Sequence, residues 1–303
     1  MQNKPSFYSV RFISALLAGL AWAGCINYPA PTESHFNRGV ELYDQGKQAE
    51  AIDEYKLALR ENPNDPFAMY NLAVVYQDQG KYTEAITLYR KILAETEDTN
   101  SRINLAAIYY ERGDRDLAFK ELETAAKKNR DSAEPLSVQG EYLEREGFLD
   151  EAEKKYISAL AIDDRHALTY FRLGRLYCKQ EKSGPCMEKL EKAVELEPKI
   201  PAYLEALATQ NEKRGNLLEA INLLERVSVL QPDRAEIYIR LGNLYKSEKL
   251  YKNAIRRYWS AIAINDDNPN VHRSLAEIYG WLSELELQEQ EKLEDQNSLA
   301  KKP

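Results

Sequence analysis

Three cysteines in 303 residues are too few for a disulfide framework to define the fold. Histidine is equally scarce, and His35, His166 and His272 are scattered with no HExxH or other metal-ligand spacing. Only 13 residues are glycine, and none forms a phosphate loop or a nucleophile elbow. A basic excess is missing too. The formal net charge is −8 with 30% charged residues, which argues against nucleic acid, whose binding calls for a basic face. The acid pairs Asp163–Asp164 and Asp266–Asp267 fall where helices end and read as caps or solvated ends. No catalytic residue, cofactor, metal or small-molecule substrate is expected.

What the chain does have is tyrosine, 20 in all, and a recurring unit. Residues 66–93, PFAMYNLAVVYQDQGKYTEAITLYRKIL, show it most clearly. Ala73 marks a close helix crossing, Gly80 a tight turn and Ala85 the small residue facing Ala73, with Tyr76 and Tyr89 filling the gap. Gly39, Gly46, Ala51 and Tyr55 repeat the pattern, as do Ala106, Gly113, Ala118 and Leu122. The turn glycines Gly46, Gly80, Gly113, Gly147 and Gly215 lie 34, 33, 34 and 68 residues apart. Helices approach closely only where small side chains meet, and flanking large residues fill the groove.

This period and pattern resemble the tetratricopeptide repeat, a helix–turn–helix of about 34 residues. The resemblance covers roughly nine-tenths of the chain and implies an all-α, right-handed α-solenoid of about seven helix hairpins with a C-terminal capping helix. The repeats are set at 32–65, 66–98, 99–132, 133–166, 167–200, 201–234 and 235–268. Val271, Leu275, Ala276 and Tyr279 begin another first helix. No second motif helix follows, and LSELELQEQEKLEDQ makes 269–303 a capping helix and polar acidic tail. His35 and His272 fall at the fourth repeat position, where an aromatic ring packs between units.

Residues 1–24 read as an export signal. Lys4 and Arg11 form its positive region, and the apolar stretch 12–20 is shorter than the ~20 residues of a membrane-spanning helix. Two cleavage sites compete. Ala21-Trp22-Ala23 fits ordinary signal peptidase. Ala23-Gly24-Cys25 resembles a bacterial lipobox, apart from Trp22 where leucine is usual. The lipobox implies a diacylglyceryl (palmitate-bearing) Cys25 as the mature N-terminus, with 25–31 as a tether. Ile26, where aspartate would mark inner-membrane retention, then points to the outer membrane or cell surface. Ordinary cleavage implies a soluble periplasmic or secreted protein.

By the same resemblance, first helices line a concave groove through positions 2, 5, 6, 9, 12 and 13 of each repeat. Repeats 1–3 place there Phe36, Tyr70 and Ile103; Asn37, Asn71 and Asn104; and Val40, Val74 and Ala107. The asparagines resemble a ladder that holds an extended backbone, each carboxamide being both donor and acceptor. Repeats 5 and 7 place Phe171, Arg172, Arg175, Lys179, Arg240 and Lys246 there. This basic stripe suits carboxylates, unless Glu205, Glu212 and Glu236 neutralise it. Cys178 and Cys186 occupy opposite helices of repeat 5, across a turn, KQEKSGP, that is expected to be the only irregular one. They form either a disulfide, favoured in an oxidising compartment, or an ordinary pair of small buried residues.

The expected partners are other proteins or extended peptides, with the membrane reached through the lipid anchor. The resemblance implies an adaptor in cell-envelope assembly, of the pilus, secretin or secretion kind. Alternatives are a self-associating structural envelope protein or a non-catalytic subunit of an envelope enzyme complex.

Overall fold

A computed structural model describes residues 34–265 and 268–299. The expected signal 1–24, the tether 25–31, Cys25 and the pair Asp266–Asp267 lie outside the described residues. Fifteen helices, and no strand, occur among the described residues. They are α1 (His35–Asp44), α2 (Gln48–Glu61), α3 (Pro66–Asp78), α4 (Tyr82–Glu95), α5 (Thr99–Glu111), α6 (Arg115–Lys128), α7 (Glu134–Arg145), α8 (Leu149–Ile162), α9 (Ala167–Lys179), α10 (Ser183–Leu196), α11 (Pro201–Lys213), α12 (Leu217–Leu230), α13 (Ala235–Ser247), α14 (Tyr251–Ile264) and α15 (Pro269–Leu299). The chain divides into two compact units, Met1–Val75 and Tyr76–Pro303, and the boundary falls within α3.

In the first unit α1 and α2 form one hairpin. Gly39 is buried on Tyr55; a Cβ there would come within 2.6 Å of the ring. Phe36 tilts over the same tyrosine with ring centroids 6.2 Å apart. In the second unit the hairpins α5/α6, α7/α8, α9/α10, α11/α12 and α13/α14 stack in order. No hairpin can bury its apolar face alone, so each uses its neighbour. One continuous core runs from Ala152 to Leu244, and a separate cluster of Ala254, Tyr258, Val271, Leu275 and Ile278 closes the C-terminal end.

One hydrogen-bond pattern makes the turn inside each of the seven hairpins. The amide of Lys47 donates to the Leu42 carbonyl at 2.8 Å, and the same bond recurs from Lys81 to Tyr76, Asp114 to Tyr109, Phe148 to Leu143, Lys182 to Tyr177, Asn216 to Asn211 and Leu250 to Tyr245. Each spans five residues and closes a Schellman motif, whose preceding residue must be left-handed. Five of those residues are the turn glycines identified above. The other two are Glu181 (φ 58) and Lys249 (φ 59). The expectation that repeat 5 has the only irregular turn is therefore corrected. Its turn keeps the common geometry with Glu181 in the left-handed place, and Gly184 and Pro185 belong to the first turn of α10. Repeat 7 does the same with Lys249.

Of the two histidines expected to pack between units, one departs from expectation. His35 is half-buried and its Nδ1 lies 2.6 Å from Glu54. His272 is exposed.

Candidate protein-binding surface

The first helices of the second unit, α5, α7, α9, α11 and α13, present one side-chain face that continues onto α15. Neighbouring helices meet on it through rings and ion pairs. Tyr110 of α5 stacks on Tyr142 of α7 with centroids 3.9 Å apart. Arg145 lies 5.9 Å above Tyr110 and is paired with Glu141. Phe171 of α9 meets Tyr203 of α11 at 4.6 Å.

The cations of this face are mostly spent inside the chain. Arg172 bonds Glu141 at 2.8 Å, Glu134 at 3.3 Å and the Ser137 hydroxyl at 2.7 Å. Its side chain is only 12% exposed. Burial opposes the charge of Arg172, but Glu134 and Glu141 hold its pKa above the ordinary value. Burial likewise opposes the charge of Glu134, yet Arg172 and then His166 hold that carboxyl below its usual range. His166 Nε2 lies 3.0 Å from Glu134, and its Nδ1 lies 2.6 Å from the Thr169 hydroxyl. Further along, Arg240 bonds Glu212 at 2.7 Å and Thr209 at 2.8 Å. Lys246 reaches Glu277 at 2.5 Å and lies 5.3 Å from the Trp281 ring. Lys179 stands 3.9 Å from Glu144.

The basic stripe is thus largely self-neutralised, and mostly by carboxylates other than those expected. Glu212 serves as anticipated, but Glu205 pairs with Arg234 at 2.6 Å, and the main work falls to Glu134, Glu141, Glu144 and Glu277. Arg175 is the exception. It is exposed, lies 5.6 Å over the Phe171 ring and, among the described residues, has no ion pair.

The expected asparagine ladder is partly committed as well. Asn104 Nδ2 donates to the Tyr89 hydroxyl at 3.1 Å, and Asn71 Nδ2 to the Phe67 carbonyl at 2.9 Å. Asn37 is exposed, while Val40, Tyr70, Val74 and Ala107 are half-buried. Ile103 is corrected from groove to core: it is buried, 7% exposed.

Cys178 and Cys186 are bonded, with Cα atoms 4.9 Å apart. Their placement has a local reason. In repeats 2 and 4 a buried tyrosine on the second helix reaches the twelfth repeat position: Tyr89 donates to Gln77 at 3.2 Å and Tyr156 to Glu144 at 3.3 Å. Repeat 5 has Leu190 in place of that tyrosine, and its twelfth residue, Cys178, is held by sulfur instead.

The groove residues named above do not include Glu134, Glu141 and Glu144. A signal was available: these acids stand at positions 2, 9 and 12 of the repeat just before the basic one, and stacked repeats bring such positions together. Among the described residues no group of His, Cys, Asp and Glu is arranged to hold a metal ion, and no helix is long and apolar enough to cross a membrane.

Hairpins with this turn, this small-residue crossing and this stacking define a repeat scaffold of the kind that binds proteins. Tetratricopeptide repeats lie within residues 39–127 and 235–268, where family models described as TPR repeat and tetratricopeptide repeat match residues 39–80, 65–127 and 235–268. Curated relatives include human protein O-mannosyl-transferase TMTC1, 28% identical over 57% of this chain and 20% of the relative. DnaJ homolog subfamily C member 3 of Gallus gallus is 23% identical over 80% of this chain and 54% of the relative. The chain therefore spans between a fifth and about half of the length of these relatives. Among solved structures, Pseudomonas aeruginosa pilF superposes with a TM-score of 0.56 at 18% identity, covering 70% of this chain and 97% of that one. The Cut9 complex with Hcn1 from the APC/C gives 0.55 at 17% identity, covering 82% of this chain and 49% of that one. These likenesses are of fold.

Proposed function

We propose that this chain is an exported, lipid-anchored adaptor that binds a partner protein or extended peptide along its first-helix face and performs no chemistry itself. The observation that carries the reading is the composition of that face. Its charges are largely paired within the chain, while half-buried Phe171, Tyr110 and Ala107 and the exposed Arg175 stay available to a ligand. Apolar anchors with a few polar fixings suit recognition of protein surfaces. A role in envelope assembly rests on Cys25 within its lipobox-like sequence.

Photo-crosslinking in cells tests the binding face. A benzophenone residue at Phe171 should give a discrete adduct, and one at exposed Glu188 on α10 of the same repeat should give none. Adducts at Glu188 alone would remove the groove reading. The anchor has its own test. Labelling with a palmitate analogue should mark the protein and be lost in Cys25→Ala; label persisting in that variant would refute lipidation at Cys25.

A further inference from the structure

The stacked array ends on an uncovered face. α15 starts as another first helix, burying Val271, Leu275 and Ile278 beside α14. In the seven preceding repeats the small residue at position 8 is buried: Gly39, Ala73, Ala106, Gly140, Gly174, Ala208 and Gly242. Ala276 holds that position in α15 and is exposed. The reason is covalent continuity. Where each earlier repeat turns, α15 runs on as one helix to Leu299, so no second helix packs on Ala276.

The slot left open has a definite chemistry. Tyr279 and Trp259 flank it, 46% and 51% exposed, with Trp259 Nε1 donating to the Tyr279 hydroxyl at 3.4 Å. Ile255 and Ile262 pack half-buried beneath. Lys252 and Arg256 precede Trp259 by seven and three residues and so share its side of α14. Both are exposed, and among the described residues neither is in an ion pair. The slot is aromatic and basic-rimmed.

We propose that a second copy of this chain fills it with the distal half of its own α15. The sequence of 284–299 carries six acids against one lysine, with leucines interleaved, which complements the basic rim. The lengths agree. A 31-residue helix is about 46 Å long, so each half spans about 23 Å. The 14-residue second helices of earlier repeats, such as α14, span about 21 Å. Two α15 helices laid antiparallel place each acidic half over the other's Ala276, Tyr279 and Trp259. The arrangement is isologous and closes at the dimer. A foreign helix would cover the slot but leave the acidic half without a role.

Sedimentation equilibrium of the full chain, in density-matched detergent, tests this. A reversible monomer–dimer equilibrium is expected, weakening as salt screens the rim. Ala276→Glu should abolish the dimer, and Lys252→Glu with Arg256→Glu should raise the dissociation constant about tenfold or more, as expected for lost charge complementarity. All these positions are exposed, so circular dichroism should be unchanged and adducts at Phe171 retained, separating this inference from the groove reading. A monomer at every concentration, a dimer indifferent to Ala276→Glu, or a monomer that captures another helical protein through the slot would overturn it.

Discussion

Arg172 of α9 reaches back one repeat to Glu141 of α7 at 2.8 Å, and the same guanidinium bonds Glu134. Because the three side chains are mostly buried, removing the cation strands two carboxylates. Arg172→Leu should cost about 3–5 kcal/mol in urea unfolding, as expected for breaking a buried ion pair from one side. Arg172→Lys should recover only part, since it lacks the planar fork. Glu134 adds a pH dependence. Its folded pKa lies below the ordinary value, so its contribution is complete above the unfolded carboxylate value of about 4.3 and is lost as pH falls through the folded one. Urea midpoints measured from neutral to acid pH should therefore fall less steeply in Glu134→Gln. An equally steep acid limb would show that Glu134 is not responsible.

Gly140 lies against Tyr156 so closely that a Cβ would approach the ring to 2.7 Å. Gly140→Ala should destabilise by about 1–3 kcal/mol through overpacking, read as a lower thermal midpoint. Repeat 5 suggests the remedy, because a Cβ on Gly174 would come no nearer than 3.0 Å to Leu190, which stands there in place of the tyrosine. The double variant Gly140→Ala, Tyr156→Leu should regain part of the loss, whereas simple additivity would mean the two sites are not coupled.

Glu181 and Lys249 hold the left-handed turn position that glycine fills elsewhere. Glu181→Gly and Lys249→Gly should each stabilise by about 1 kcal/mol, the cost of a left-handed non-glycine residue, seen as a higher urea midpoint with unchanged slope. No gain at either site would mean that the freedom glycine adds to the unfolded chain cancels the relief.

The bond between Cys178 and Cys186 closes a short loop, with a sequence separation of 8. Replacing both cysteines with serine should cost about 2–3 kcal/mol on the loop-entropy estimate. Thiol titration of the unfolded protein should find two more reactive groups after reduction. Equal counts before and after would show the pair to be unbonded.

The sequence makes some of this architecture plain and leaves other parts hidden. Small residues at the crossings are visible because close backbone approach admits few side chains, so Gly39, Ala73 and Gly140 announce their positions. The turns at Glu181 and Lys249 stay hidden because the Schellman hydrogen bonds hold those residues in place, and their side chains carry no trace of the backbone angle. Arg172 can be placed on the binding face from its repeat position. Its burial cannot, since that depends on how near α7 lies, and the distance is set by the packing of whole hairpins. Ile103 shows the same limit: its position number is that of a groove residue, but in the stack it is buried.

Glu141–Arg172, Glu212–Arg240 and Lys246–Glu277 each join helices of successive repeats. The electric field that a partner meets on this face is therefore tied to the spacing of the stack. Drawn apart by a few ångströms, adjacent hairpins would show alternating bands of positive and negative charge where a nearly neutral wall stood before. Mechanical strain on the array would thus be converted into a change of electrostatic potential along it.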